Sequence, residues 1–150
     1  MLKLPEILNL PPKLLPFALN IGKYRYYLAD GGRGSGKSQA FGRLILYVCE
    51  KRKVRVCCGR ETQNSIEDSV YRLLVDLINQ FGLNFNVFGN KIVHRETGSE
   101  IIFRGFRENG VENTKGMEGF DIVWIDEAQL LTKRTIDVVI PTIRKPKSVV

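Results

Sequence analysis

The stretch with the clearest chemical signature is a run of glycines, GGRGSGKS, at residues 31–38. It matches the pattern GxxxxGK[ST], in which a glycine-rich turn leads to a lysine and a hydroxyl at the start of a helix. Glycine lets backbone N–H groups curl around phosphate oxygens, and the helix N-terminus adds a positive partial charge. The alternative is a plain glycine-rich turn. The pattern predicts a phosphate-binding loop with the ligands Gly31, Gly32, Gly34, Ser35, Gly36, Lys37 and Ser38.

Three side chains of this loop could take part in the chemistry. We expect Lys37 to reach the β- and γ-phosphates of a nucleotide and the Ser38 hydroxyl to bind Mg²⁺. Arg33 lies inside the loop, and two interpretations of it stay open. It is either a catalytic charge stabiliser that contacts the γ-phosphate or a neighbouring element, or a solvated arginine at an exposed loop tip.

A second signature is the acidic pair Asp126 and Glu127, which directly follows the apolar residues 122–125. An apolar strand that ends in two carboxylates suits a ligand site at the carboxyl edge of an open α/β sheet. We expect Asp126 to hold Mg²⁺ through water. Glu127 would orient and deprotonate the attacking water, a general-base role worth about 10²–10⁴-fold in rate. The alternative is two surface acids at a strand end.

Two smaller features indicate the type of nucleotide. A glutamate directly after the aspartate is typical of hydrolytic motors rather than of small-molecule kinases. Guanine specificity normally uses an NKxD loop, but Asn90 and Lys91 are followed by Ile92 and Val93, so the aspartate is missing. ATP is therefore favoured over GTP.

Apolar periodicity predicts the elements that must position these residues. Helical spacing occurs at 39–50 and 65–81, and a further helix at 133–140 is expected to end at Pro141. Strands are predicted at 24–29, 54–58, 85–88, 91–95, 100–106 and 121–126, with a turn at Gly89 and Asn90. This alternation indicates an α/β fold, a P-loop NTPase with a mainly parallel sheet and helices on both faces.

Composition limits the remaining function classes. The 150 residues are 43 % hydrophobic and 26 % charged, which fits a single soluble globular domain. No apolar run approaches the roughly 18 residues of a membrane span, and prolines interrupt residues 1–20, so no signal peptide is expected. The formal net charge of +7 fits a polyanionic partner. Three cysteines without a CxxC pair predict buried thiols in a reducing compartment rather than disulfides or a zinc site.

Together these motifs resemble the large terminase subunit of tailed bacteriophages, specifically its PBSX-type branch. The resemblance runs from about Tyr24 to Lys147. It is carried by residues 31–38, 59–74 (GRETQNSIEDSVYRLL), 115–128 (KGMEGFDIVWIDEA) and 140–146 (IPTIRKP). The second and fourth segments are not generic to ATPases. The resemblance implies an ATP-driven DNA-packaging motor, with an N-terminal ATPase of the additional-strand, catalytic-glutamate class and a C-terminal nuclease.

The same resemblance implies ATP and Mg²⁺ as cofactors. It assigns nucleotide contacts to Lys37 and Ser38, the metal to Asp126 and the catalytic base to Glu127, in agreement with the roles derived above. Its implied partners are double-stranded DNA bound without sequence preference, a small terminase subunit, and a portal protein or procapsid. It also implies a homo-oligomer when complete, in the cytoplasm of a bacterial host and without a membrane partner.

For several residues the resemblance leaves alternatives open. Residues 24–27 either help to hold adenine or pack a core from alternate sides of a strand. Arg60, Glu61 and Gln63 either act at the site or a subunit interface, or cap a helix and add surface polarity. Six basic residues are candidates for contact with DNA phosphates, and a solvated positive surface is the alternative for each. They are Arg104, Arg107, Lys115, Arg144, Lys145 and Lys147.

The chain is short for this family. We expect a leader segment over residues 1–20, a partial ATPase domain over 21–150 and no nuclease domain. In this class a further strand inserts between the phosphate-loop strand and the strand of the acidic pair, and only Val149 and Val150 could belong to it. The activity of the isolated chain stays open. Alternatives are a truncated remnant that binds nucleotide without turnover, and another translocase or helicase, because DEAQ at 126–129 resembles a helicase box.

Overall fold

The computed structural model describes residues 5–107 and 116–150 and contains a five-stranded sheet. The strands are β1 (Arg55–Arg60), β2 (Phe85–Val87), β3 (Lys91–His94), β4 (Glu100–Gly105) and β5 (Ile122–Ile125), in the order β2-β3-β4-β1-β5. β1 runs parallel to both β4 and β5, whereas β2, β3 and β4 form an antiparallel meander at one edge. The predicted α/β sheet is confirmed, with its parallel part next to the acidic pair.

Helices occupy the three predicted places, and α1 is an additional helix. They are α1 (Leu15–Leu19), α2 (Lys37–Lys51), α3 (Gln63–Ile66), α4 (Arg72–Phe81) and α5 (Lys133–Thr142). A π-helical turn, Glu67–Tyr71, joins α3 to α4, so residues 63–81 form one continuous helical stretch. Short 3₁₀ turns occur at Glu6–Leu8 and Ala128–Leu130.

Helix α5 continues through Pro141 instead of ending before it. In the last turn the proline costs the helix only one backbone hydrogen bond. The Thr142 hydroxyl also donates to the carbonyls of Val138 and Val139, at 3.2 and 2.7 Å. The side chain that follows the proline thus provides a hydrogen-bond donor for carbonyl groups in the last turn of the helix.

Apolar side chains pack on both faces of the sheet. On one face, residues such as Val56 and Trp124 pack with α2 and α4 in the larger core. On the other face, Cys57 and Val123 pack with Val139 of α5 in a smaller core. Neighbouring residues of β1 and β5 thus point to opposite cores, as the period of two in a strand requires. Helices on both faces, as predicted, are confirmed.

Residues of the expected leader segment are part of the packed structure. Ile7 and Leu8 are buried in the larger core, and Leu10 and Leu14 pack against Ala40 of α2. Within the part of the chain that the structure describes, no helix is long and apolar enough to cross a membrane.

The strand predicted at residues 24–29 is wrong, because this stretch is extended chain outside any assigned strand. Among the described residues its backbone pairs with Val150 alone: Tyr27 N donates to the Val150 carbonyl at 2.9 Å, and Val150 N donates to the Arg25 carbonyl at 2.7 Å. Val149 in turn pairs in parallel with Ile122 of β5. Residues 149 and 150 therefore lie between β5 and residues 25–27, where the inserted strand was expected. A partner of two residues is too short to build a regular ladder.

Candidate nucleotide-binding site

A cleft with a volume of ≈ 1150 Å³ opens where β1 and β5 end. It is lined by the glycine-rich loop and by residues 122–131, and its apolar lining includes Phe41, Ile45 and Trp124. In open α/β sheets, ligands bind outside the carboxyl ends of the strands. The cleft therefore lies where the sequence predicts a site.

The glycine-rich loop closes around the ammonium group of Lys37. Gly34 and Gly36 have φ angles of 77° and 79°, which favour glycine, and Gly36 caps the start of α2. Lys37 Nζ donates to the carbonyls of Gly31 and Gly32 and to Ser35 Oγ, the last two at 3.2 and 3.0 Å. The seven predicted phosphate ligands thus form one loop, with the lysine charge among its backbone carbonyls.

Asp126 lies beside this loop at the end of β5 and is 8 % exposed. The Ser38 hydroxyl donates to its Oδ1 at 3.2 Å, across 88 residues of sequence. Arg60, the last residue of β1, donates to the other oxygen, Oδ2, from Nε at 2.8 Å and from Nη2 at 2.6 Å. Ser38 and Asp126 therefore meet as predicted, and the arginine is an additional partner.

Oxygen donors at this point fit a magnesium ion. Mg²⁺ prefers carboxylate, hydroxyl and phosphate oxygens, and it is usually held by one or two carboxylates together with water and substrate phosphates. The Ser38 hydroxyl and the Asp126 carboxylate form such a donor set. They lie next to the loop that the sequence pattern predicts to bind phosphate.

Glu127 has an unusual backbone conformation, with φ 54° and ψ 46°. The left-handed region is costly for a residue with a Cβ, and such outliers cluster at functional sites. The side chain is exposed, lines the cleft and accepts a hydrogen bond from Gln129 Nε2. The structure thus places Glu127 at the cleft but does not bring its carboxylate to Lys37 or Ser38. No sequence signal indicates the left-handed backbone.

Arg33 lies at the exposed tip of the glycine-rich loop and also lines the cleft. Arg33 is exposed to solvent, whereas Asp126 is buried. Neither of the two interpretations of Arg33 is decided by this position.

A comparison with known protein families identifies the family of this chain. A profile of the phage terminase large subunit matches residues 23–150. The chain belongs to the phage terminase large subunit family. The comparison with curated proteins gave no match.

Solved structures support the fold of this terminase chain. The large terminase from the thermophilic bacteriophage D6E matches in one crystal form with a TM-score of 0.76, at 12 % identity over 92 % of this chain. A second crystal form gives 0.68, at 11 % identity over 88 %. At these identities the likeness concerns the P-loop ATPase fold alone. The chain spans 37 % and 35 % of the length of those two chains.

Of the three candidates Arg60, Glu61 and Gln63 at the end of β1, one reaches the site. Arg60 contacts Asp126, whereas the amide of Gln63 accepts a hydrogen bond from Gly105 N at 2.7 Å. Glu61 Oε1 accepts a bond of 3.5 Å from the Thr135 hydroxyl of α5, and its buried Oε2 has no hydrogen-bond partner among residues 5–107 and 116–150. The site interpretation therefore applies to Arg60. The signal that could have found it is the parallel register of β1 and β5, which pairs residue 59 with residue 125.

Residues 24–27 do not form the alternating core strand that was one interpretation. Tyr24 and Tyr26 are 63 % and 51 % exposed, although Tyr26 and Tyr27 line the cleft. Arg25 instead binds two residues that follow α5: its Nη2 donates to the Ile143 carbonyl at 2.6 Å, and its Nη1 donates to Ser148 Oγ at 2.8 Å. Adenine contact by these residues stays a prediction.

The structure places five of the six basic candidates for DNA contact. Arg107 follows β4 at the carboxyl edge of the sheet, whereas Lys145 pairs with Asp121 before the amino end of β5, at 2.8 Å. The others are Arg104, which stacks over Phe120 at 5.9 Å, Arg144, which pairs with Glu118 at 3.8 Å, and the exposed Lys147. Lys115 lies outside the described residues. Of the described candidates, Arg104, Arg144 and Lys145 thus all contact residues 118–121, whereas Arg107 lies at the carboxyl edge of the sheet.

Proposed function

We propose that this chain binds and hydrolyses ATP with Mg²⁺ as part of the motor domain of a viral DNA-packaging terminase. The observation that carries the proposal is the 3.2 Å contact between Ser38 Oγ and Asp126 Oδ1, inside a cleft lined by the glycine-rich loop. This contact joins two segments 88 residues apart in sequence, and it supports a shared role of both residues in phosphate and metal chemistry. Family membership favours a terminase over the helicase alternative.

In this proposal each side chain of the site has its own task. The backbone N–H groups of residues 31–38 and the ammonium of Lys37 hold the β- and γ-phosphates. Ser38 and Asp126 hold the metal, and Glu127 takes a proton from the attacking water. When bound, Mg²⁺ neutralises charge that develops on the phosphate oxygens. For Glu127 this task requires a side-chain rotation away from Gln129, its partner in this structure.

The wider function follows from the family. We propose that hydrolysis drives translocation of double-stranded DNA into a procapsid, with phosphate contacts that do not read the sequence. The proposed partners are the small terminase subunit, a portal protein or procapsid and further copies of the large subunit, in the cytoplasm of the bacterial host.

A second candidate function is nucleotide binding without turnover. It is favoured by the position of the Glu127 carboxylate, which is bonded to Gln129 on the exposed side of the cleft. It shares the phosphate loop and the metal-binding residues with the first candidate. The two functions therefore differ in the rate of hydrolysis and not in nucleotide affinity.

The test is the rate of ATP turnover by the chain, with and without Mg²⁺ and with and without double-stranded DNA. The proposal predicts magnesium-dependent turnover that DNA increases and that Lys37→Ala abolishes. Nucleotide binding without turnover by the folded chain would replace the first candidate by the second. Turnover that Lys37→Ala leaves unchanged would contradict both, because the activity would then come from elsewhere.

A further inference from the structure

The two oxygens of the Asp126 carboxylate have different partners. Oδ1 accepts the Ser38 hydroxyl at 3.2 Å, on the side of the glycine-rich loop. Oδ2 accepts both Nε and Nη2 of Arg60, at 2.8 and 2.6 Å. The arginine therefore takes the oxygen that faces away from Ser38 and leaves the other oxygen to the loop.

Arg60 is held firmly enough to fix this carboxylate. Its carbonyl accepts a hydrogen bond from Phe106 N at 2.9 Å, and Asp126 N donates to the neighbouring Gly59 carbonyl at 2.9 Å. The two side chains are also largely shielded, with 21 % of Arg60 and 11 % of Asp126 exposed. The backbone bond from Asp126 to Gly59, the residue before Arg60, thus accompanies the side-chain pair of Arg60 and Asp126 at the ends of these parallel strands.

We propose that Arg60 is a positioning residue that orients Asp126 for the metal ion. The inference rests on the proposed function and adds a residue to it. Carboxylates that bind metals are themselves held by hydrogen bonds, and loss of such an outer partner typically costs 10–100-fold in metal affinity. Arg60 acts through Asp126, so its removal lowers the affinity for Mg²⁺ and leaves metal-free nucleotide binding unchanged.

If Arg60 acted only through its charge, its removal would change the affinity for Mg²⁺ in the opposite direction. A guanidinium next to a metal site repels a dication, so its loss would increase the affinity for Mg²⁺. The division of the two carboxylate oxygens favours orientation, because the arginine does not occupy the oxygen beside Ser38. The direction of the change in magnesium affinity therefore separates the two roles.

The experiment measures binding of a fluorescent ADP analogue at increasing concentrations of MgCl₂, and again in EDTA. The variants are Arg60→Gln, which keeps one donor without charge, and Arg60→Lys, which keeps the charge and a single nitrogen. Arg72→Gln is the matched control, because Arg72 pairs with Asp68 at 3.2 Å on the surface of α4 and is 72 % exposed.

The expected result is a 10–100-fold higher half-maximal MgCl₂ concentration for Arg60→Gln, a smaller increase for Arg60→Lys, and the wild-type value for Arg72→Gln. Affinity in EDTA stays the same in all variants. An unchanged or lower half-maximal concentration in the Arg60 variants would overturn the inference. If Arg60→Gln does not fold, Arg60→Lys decides by the same criterion. Absence of nucleotide binding by the wild-type chain would instead overturn the proposed function.

Discussion

Two aspartates near the two ends of β5 have similar partners and different surroundings. Asp121 precedes the strand and pairs with Lys145 at 2.8 Å, and it also accepts a hydrogen bond from Arg55 N at 2.8 Å. Asp126 follows the strand and pairs with Arg60 at 2.6 Å. Each carboxylate thus has a basic side chain, and an ion pair alone does not distinguish a site from a structural contact.

The difference lies in what else surrounds each pair. The Ser38 hydroxyl donates to the Asp126 oxygen that Arg60 does not bind. The glycine-rich loop lines the same cleft, and Glu127, directly after Asp126, has a left-handed backbone. Asp121 is bonded to the backbone of β1 and to the segment after α5, and the cleft does not include it. The chemistry of a carboxylate in this fold therefore depends on which end of the parallel strands it occupies.

The largest expected effect is a loss of ATP turnover, and it compares two glutamates, one after β5 and one before it. Glu127→Gln removes the proposed general base, so we expect turnover to fall by about 10²–10⁴-fold while nucleotide affinity stays the same. Glu118→Gln is the matched control, since Glu118 is an exposed residue before β5 that pairs with Arg144 at 3.8 Å. Steady-state turnover and fluorescent-nucleotide binding measure both quantities. Equal turnover by the two variants would remove Glu127 from the mechanism.

A smaller effect is expected on stability. Asp126→Asn leaves the shielded charge of Arg60 without its partner, and we expect a loss of about 2 kcal/mol in the free energy of unfolding. Asp121→Asn is expected to cost less than about 1 kcal/mol at neutral pH, because its pair is more exposed. Urea denaturation of both variants measures the difference. A larger cost for Asp121→Asn would contradict the ranking.

Buried thiols provide the control for folding in these experiments. Burial raises the pKa of Cys49 and of Cys57 to about 12. Reaction with iodoacetamide requires the thiolate and access to it, so these cysteines should be modified slowly in any folded variant and quickly in urea. Fast modification of a variant without denaturant would show that its loss of binding comes from unfolding.

The smallest expected effect is a dependence of stability on pH at Asp121. Burial alone would raise the pKa of this carboxyl, but the hydrogen bond and charge of Lys145, the Arg55 N–H and the charge of Arg52 together hold it below its ordinary value. The stability from this lowered pKa is present above the unfolded pKa of about 3.9 and is lost as the pH falls through the folded value. The stability difference between wild type and Asp121→Asn should therefore shrink in acid. A difference that grows as the pH falls from about 5 would contradict this sign.

The sequence predicted best what local patterns determine. The apolar period located α2, α4 and the five strands, and the lysine and serine of the glycine-rich loop start α2 as expected. The strand predicted at residues 24–29 was wrong because its aromatic pattern does not provide a partner for its backbone. In the part of the chain that the structure describes, Val150 alone pairs with it. A strand depends on its neighbours in the sheet, which a local pattern does not contain.

The sequence predicted those site residues that belong to a short, contiguous motif. Ser38 and Asp126 could be placed together because each belongs to a recognisable motif. The interpretation of Arg60 stayed open, since its contact with Asp126 joins residues 66 positions apart and depends on the register of β1 and β5. The left-handed backbone of Glu127 is likewise a result of the strand-to-turn geometry and not of residue type.

The central claim is that nucleotide phosphates bind in the loop around Lys37. The most direct test is calorimetric titration of ATP with Mg²⁺ into the wild-type chain, Lys37→Ala and Lys51→Ala, since Lys51 is the exposed last residue of the same helix. Loss of a hydrogen bond to a charged group costs about 1.5–3 kcal/mol, so Lys37→Ala should bind roughly 10–100-fold more weakly. Lys51→Ala should match the wild type. Equal affinity of Lys37→Ala and the wild-type chain would contradict the account.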